Sequence, residues 1–278
     1  MIEGSPTEAA RPPSILRQYA ILLRLGLTAA LQYRADFIMV SIGAICYEAV
    51  SLAFVGVIVS AFGSIAGWTL SQIAFVYGIR ASGHAIHSLL SGQLWSVDEV
   101  VRRGEFDRYL VRPVNPLLQL ITRQFQVTAI GDLVFGVAVL VITALATPIS
   151  WSVVRIGYLV LVVLGSAAVE SAVMLALASL TFRLTVSTPL LSIVDTVFVT
   201  FGPYPVSVLP RAVGYLLTFV LPLAFAGFFP AAILLGRTDD LFVPVWLAGI
   251  SPLVGIGLYA LAVLVFDRQL RHYASPGH

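Results

Sequence analysis

The chain has 278 residues and a net charge of +2; 59% of its residues are hydrophobic and only 11% are charged. A soluble domain is closer to half apolar and a quarter charged, so a water-soluble globular protein is excluded. A basic nucleic-acid binder is excluded as well, because no solvated domain collects the charge.

With a mean hydropathy of +0.96, the apolar excess has to face lipid, and several stretches reach the roughly 20 apolar residues that a crossing helix needs. All 16 basic residues are arginine, which reads as the codon bias of a GC-rich genome more than as chemistry. The single cysteine, Cys46, lies in an apolar run and has no partner for an intrachain disulfide, so no oxidising compartment is implied. Residues 1–13 are polar, hold three prolines and read as a disordered N-terminus. They lack the short apolar core and small-residue cleavage site of a signal peptide. The remainder, 14–278, reads as one membrane domain.

Helical patterning begins in SILRQYAILLRLGLTAALQYRADF. Ser14 is placed to cap it. Arg17 and Arg24 share one face while Leu16, Leu23 and Leu27 share another, which predicts an amphipathic helix lying on the membrane surface. Apolar spans follow at 37–62, interrupted by Glu48; at 68–94, with Arg80, His84 and His87; at 125–146, with Asp132; at 153–182, with Glu170; at 189–208, with Asp195; and at 243–266. The stretch 211–236 is apolar enough to cross, but Pro222 and Pro230 each remove a helix hydrogen-bond donor and break it.

Arginine placement orders these spans, because cytoplasmic flanks collect Arg and Lys. Arg11, Arg17, Arg24 and Arg34 precede the first span, and Arg102, Arg103, Arg108, Arg112 and Arg123 stand between the second and third. Arg183 stands between the fourth and fifth, and Arg268 and Arg271 follow the last. The opposite connections hold only Arg155, Arg211 and Arg237. A full crossing by 211–236 would put the C-terminal arginines on the wrong side; a dip that returns keeps them with the others. Irregular backbone at membrane depth must pack on protein or line a cavity. The expectation is an all-α membrane protein with six spans, a re-entrant helical hairpin on the outer side before the sixth, and both termini cytoplasmic. No internal repeat is visible, which weakens an inverted-repeat transporter.

Three stretches stand out together: LQYRADFIM before the first span, GEFDRYLVRPVNPLL after the second, and PLAFAGFFPAAILLG followed by LRHYASPGH. The set resembles the ABC-2 type permeases over nearly the whole chain, residues 15–277. The resemblance implies the six-span membrane subunit of a bacterial ABC exporter in the inner membrane, paired with itself or with a sister permease over a dimer of ATPase subunits. It also implies a connecting helix before the first span and a coupling helix between the second and third. The chain has no G-x-x-x-x-G-K-[ST] loop to cradle phosphates and no lysine to complete one, so it is not expected to be an enzyme or to hold a cofactor. ATP and magnesium are expected on the partner.

The charged island RRGEFDRYLVRPVNPLL, 102–118, is the expected coupling element. The positive-inside rule alone accounts for Arg102, Arg103, Arg108 and Arg112 as topological anchors. It does not account for Glu105 and Asp107 among them, nor for Phe106 and Tyr109 on a solvated loop. Apolar spacing at 97–101 and 106–110 fits two short helical pieces with Gly104 at the turn. With the resemblance added, these residues read as docking the ATPase through Arg and aromatic anchors. Pro113 and Pro116 then stop the helix and turn the chain back toward the third span.

A charge at mid-bilayer costs at least about 2.5 kcal/mol, so the acids and Arg80 must face protein or water. Asp132 and Asp195 lie near the predicted cytoplasmic ends and read as structural. Glu48, Glu170 and Arg80 either line a substrate path or pair with one another. Because acids outnumber bases and the walls are apolar, such a path favours a hydrophobic or amphipathic, cationic substrate, and the resemblance implies a drug-like one. His84 and His87 stand i, i+3, but no third ligand has matching spacing, so no metal site is expected. In the hairpin, Tyr215, Phe219, Phe225 and Phe229, with Pro222 and Pro230, form an outer gate or, more plainly, a packed cap. The rival function is an ATP-independent transporter or channel.

Overall fold

The computed structural model describes residues 15–184 and 186–275; the expected disordered N-terminus and the Ser14 cap lie outside them. The regular structure of the described residues is helical, with no strand among them. Helix α1 (Ile15–Gln32) turns at Tyr33 into α2 (Arg34–Phe62). On α1, Arg17 and Arg24 are exposed and Leu23 and Leu27 half-buried. The Tyr19 hydroxyl donates to the Leu90 carbonyl at 3.0 Å, laying α1 against the end of the next long helix. That helix, α3 (Leu70–Ser91), starts with a reciprocal cap: the Thr69 hydroxyl accepts from the Gln72 N–H, and the Gln72 side chain accepts from the Thr69 N–H.

Three short helices follow: α4 (Val97–Arg102), α5 (Asp107–Leu110) and α6 (Pro116–Ile121). Pro116 is the first residue of α6, where a missing N–H costs nothing, and Asn115 caps it by accepting from Leu118 N–H at 3.2 Å. Next come α7 (Thr128–Ala146), α8 (Val153–Ala178), its continuation α9 (Thr181–Leu184) and α10 (Thr188–Phe201). The chain closes with α11 (Arg211–Phe219), α12 (Leu223–Ala226), α13 (Phe228–Leu234), α14 (Val245–Gly249) and α15 (Ser251–Leu270).

Among the described residues, four helices are long and apolar enough to cross a membrane: α2, α7, α8 with α9, and α15. The six expected spans include two of a different kind. Helix α3 has 22 residues but carries Arg80, His84 and His87, and most of its side chains are buried in the bundle. Helix α10 has 14 residues, a rise of about 21 Å against a hydrocarbon core of about 30 Å. It ends where Gly202, Pro203 and Pro205 follow.

Helix α3 packs on α7 and α8, α8 on α15, and α2 on α7. Each of these four contacts has a glycine at a close approach. A Cβ on Gly136 would stand 2.7 Å from the Ser82 nitrogen, and one on Gly255 would stand 2.3 Å from the Gly165 carbonyl oxygen. Close backbone approach of this kind is how helices associate where lipid removes the hydrophobic drive. Helix α2 instead leaves Met39, Val50, Phe54 and Val57 exposed, an apolar face for lipid or protein.

The arginine-rich connections share one end of the bundle. There Phe106, Phe182 and Tyr273 meet ring to ring, and Arg183 lies 3.1 Å from His272. At the opposite end, Arg237 donates to the Gly67 carbonyl at 2.7 Å and sits 4.6 Å over the Trp68 ring. Between α10 and α15, the chain breaks at Pro222 and Gly227 into α11, α12 and α13. Pro230 interrupts nothing: it is in the first turn of α13, where backbone N–H groups have no intrahelical acceptor. The elbow at Pro222 lies beside Ala172 and Ala176 of α8 and Leu258 and Ala262 of α15. Phe242 meets Tyr215 of one arm at 5.4 Å and Phe229 of the other at 5.5 Å.

Candidate functional site

Helices α2, α3 and α10 enclose a cleft of about 450 Å3 walled by Tyr47, Glu48 and Phe54, by Tyr77, Arg80 and His84, and by Phe198. Arg80 reaches across α3 to α8: Nη1 donates to Glu170 Oε2 at 2.9 Å and Nη2 to Oε1 at 3.3 Å. Of the two pairings the sequence leaves open to Arg80, the structure has Glu170. Glu48 is held instead by a hydrogen bond from the Tyr77 hydroxyl, a neutral donor. Arg80 also lies over the Phe198 ring, 5.5 Å from its centre. His84 Nδ1 is 2.8 Å from Glu170 Oε1, and His87 Nδ1 is 2.8 Å from the Ser171 hydroxyl.

Asp195, which reads as structural in sequence, joins this cluster. One ligating atom each from His84, Glu170 and Asp195 lies within 4.8 Å of the others. Three helices supply these groups, so no spacing along the chain reveals them. They make a poor metal cage. Ligands of a tetrahedral zinc, each about 2 Å from the ion, stand more than 3 Å apart, whereas His84 and Glu170 are at hydrogen-bond distance. Glu170 is also already neutralised by Arg80. Asp132, half-buried on α7, is within electrostatic reach of His84 and Glu48. Of the four carboxylates in this neighbourhood, Glu48 lines the cleft beside Arg80 and His84, Glu170 is paired with Arg80, and Asp132 and Asp195 stand outside the lining.

The second region is the charged end. Gly104, at φ +66°, turns the chain between α4 and α5. Phe106 is fully buried, with ring centres of Phe182 and Tyr273 each at 5.1 Å and Tyr109 at 5.6 Å. Asp107 accepts from the Tyr273 hydroxyl at 2.9 Å and the Ser275 hydroxyl at 2.6 Å. Burial and the Asp107 carboxylate push the Tyr273 phenol up to about 12. Glu105 pairs with Arg123 at 3.0 Å. Glu105, Phe106, Asp107 and Tyr109 therefore hold a platform together, binding it to the end of α15. The outer surface presents Arg102, Arg103, Arg108, Arg112 and Pro113, with Leu110 and Val111 exposed beside them. Arg103 also pairs with Glu99 at 2.7 Å on the exposed surface.

Sequence reasoning passed over Asp98, whose side chain is buried. Its carboxylate accepts from the hydroxyls of Thr181, Ser187 and Thr188 and from the N–H groups of Ser187 and Thr188. Burial works to raise this carboxyl, and the hydrogen bonds outweigh it, leaving it below the ordinary carboxylate value. An acid inside the apolar run VDEVV was the available signal: a buried carboxylate demands several donors.

The hairpin residues divide. Tyr215 and Phe219 are exposed and stacked at 6.1 Å, whereas Phe225 and Phe229 are buried and meet edge to face at 5.0 Å. Pro222 and Pro230 are buried with them.

The family model described as ABC-2 family transporter protein matches residues 45–277, which takes in the cleft, the platform and the hairpin. No curated protein and no solved structure matches the chain.

Proposed function

The chain belongs to the ABC-2 family of transporter proteins, and on that premise we propose that it is the membrane subunit of an ATP-driven exporter moving amphipathic, drug-like cations across a bacterial inner membrane. The observation that carries this reading is the division of the chain into two polar regions. A cleft inside the bundle, open beside α2, holds the Glu48 carboxylate next to Arg80 and His84, with Glu170, Asp132 and Asp195 nearby, and is lined by aromatic rings. Carboxylates and ring faces together are the chemistry that holds an organic cation. A separate platform turns four arginines outward. A chain without a lysine has no phosphate-binding loop of its own, so ATP and magnesium belong to a partner ATPase dimer docked on that platform. A second permease, identical or a sister, completes the translocation path. In this reading Tyr215 and Phe219 lie at the mobile face of the outer hairpin, and Phe225, Phe229, Pro222 and Pro230 form its fixed base.

Co-purification of the tagged chain with an ABC ATPase subunit co-expressed from the same source, followed by ATP hydrolysis with and without tetraphenylphosphonium, tests the assignment. Stimulated hydrolysis by a stable complex is expected. An ATPase that neither binds the chain nor responds to it contradicts the assignment.

A further inference from the structure

The platform and the cleft have to communicate if one docks an ATPase and the other holds the cargo. Among the described residues, the most strongly bonded link between them is Asp98. From α4, its carboxylate gathers five hydrogen bonds, four of them from Ser187 and Thr188 at the start of α10. Hydrogen bonds to a charged acceptor are about twice as strong as neutral ones, and this one is shielded from water. Helix α10 is otherwise loosely held. Only Leu191 and Phe198 are buried along it, and Leu190 and Ile193 are exposed. Its other end carries Phe198, Val199 and Thr200 into the cleft wall, and Asp195 reaches the His84–Glu170 group. A helix gripped firmly at one end, weakly packed along its length and forming a cavity wall at the other moves with whatever grips it.

We propose that Asp98 is the positioning residue that couples the platform to the cleft, drawing the start of α10 with α4 and so reshaping the cavity that Phe198 lines. The inference rests on the proposal that the platform docks an ATPase. It assigns a transmitting role to a residue that touches neither the cargo nor the partner.

The test uses the full chain in complex with its ATPase in lipid nanodiscs, in a Cys46→Ser background. Spin labels at Ile193→Cys on α10 and Leu145→Cys at the end of α7, both exposed positions, report the distance between the two helices. Trapping the complex with ATP and vanadate is expected to shift that distance. Asp98→Asn replaces half the carboxylate with a donor facing donors, and it is expected to abolish the shift while the ATPase still co-purifies. Should Asp98→Asn fail to fold, Thr181→Val with Thr188→Val removes two hydroxyl donors and leaves the acid in place; a reduced shift is expected. An unshifted distance in the unmutated complex, or a full shift in the variants, overturns the inference. Failure of the ATPase to co-purify with the unmutated chain removes the docking reading beneath it, a separate and distinguishable result.

Discussion

The Arg80 guanidinium and the Glu170 carboxylate join α3 to α8 by two hydrogen bonds, of 2.9 and 3.3 Å, with both side chains almost wholly sealed from solvent. A buried pair of this kind repays its desolvation only while both partners are present. Glu170→Gln leaves a buried guanidinium without its counter-charge and should cost about 3–5 kcal/mol. The double variant Arg80→Met with Glu170→Leu should recover most of that loss. Melting of the three proteins in one detergent, arranged as a double-mutant cycle, checks it.

Glu48 is the wall carboxylate held by a hydroxyl and not by a base. Replacing it with glutamine leaves the pair above intact and removes negative charge from the cleft. The concentration of tetraphenylphosphonium for half-maximal transport should rise about tenfold, equivalent to ~1.4 kcal/mol, with little change in melting temperature. Unchanged half-saturation would place the cargo elsewhere.

Phe106 fills the space between Phe182 and Tyr273. Phe106→Ala should cost about 3–5 kcal/mol through the cavity it opens. Tyr273→Phe keeps the rings and removes only the hydrogen bond to Asp107, and should cost about 1.5–3 kcal/mol. The order of the two losses in chemical denaturation is the check.

The hydrogen bonds that hold the Asp98 carboxyl below its ordinary 3.8 have a pH signature. A depressed folded value means the contribution is fully present above the unfolded value and disappears as pH falls through the folded one. The stability gap between the unmutated protein and Asp98→Ala should be flat from neutrality down to about pH 5, then shrink below 3.8. A gap that is constant down to the lowest accessible pH would show that the acid acts by shape and not by charge.

Arg102, Arg103, Arg108 and Arg112 are exposed, so reversing them to glutamate should change stability by only about 0.5 kcal/mol each. The amount of ATPase recovered with the chain should nevertheless fall at least tenfold.

The long apolar helices were legible because a lipid-facing segment must be apolar over a length set by the bilayer, as 37–62 and 125–146 show in their own residues. The turn at Gly104 was legible because glycine accepts a left-handed backbone at no steric cost. The inward direction of Phe106 and Asp107 was not: what receives them is Tyr273, 166 residues from Asp107 along the chain. Asp195 reads as structural in sequence because it lies near a predicted cytoplasmic end; its neighbours in the fold come from α3 and α8. Pro230 reads as a helix breaker in sequence because the residues alone do not show that a helix begins two positions before it.

Transport measured in liposomes containing the chain with and without its ATPase tests the central claim most directly. The account predicts that tetraphenylphosphonium is moved against its gradient, above the passive leak of protein-free liposomes, only when the ATPase and ATP are present on the platform side, and that the reversal of the four platform arginines abolishes that movement. Equal transport by the chain alone, indifferent to ATP, would contradict it and establish an ATP-independent transporter or channel.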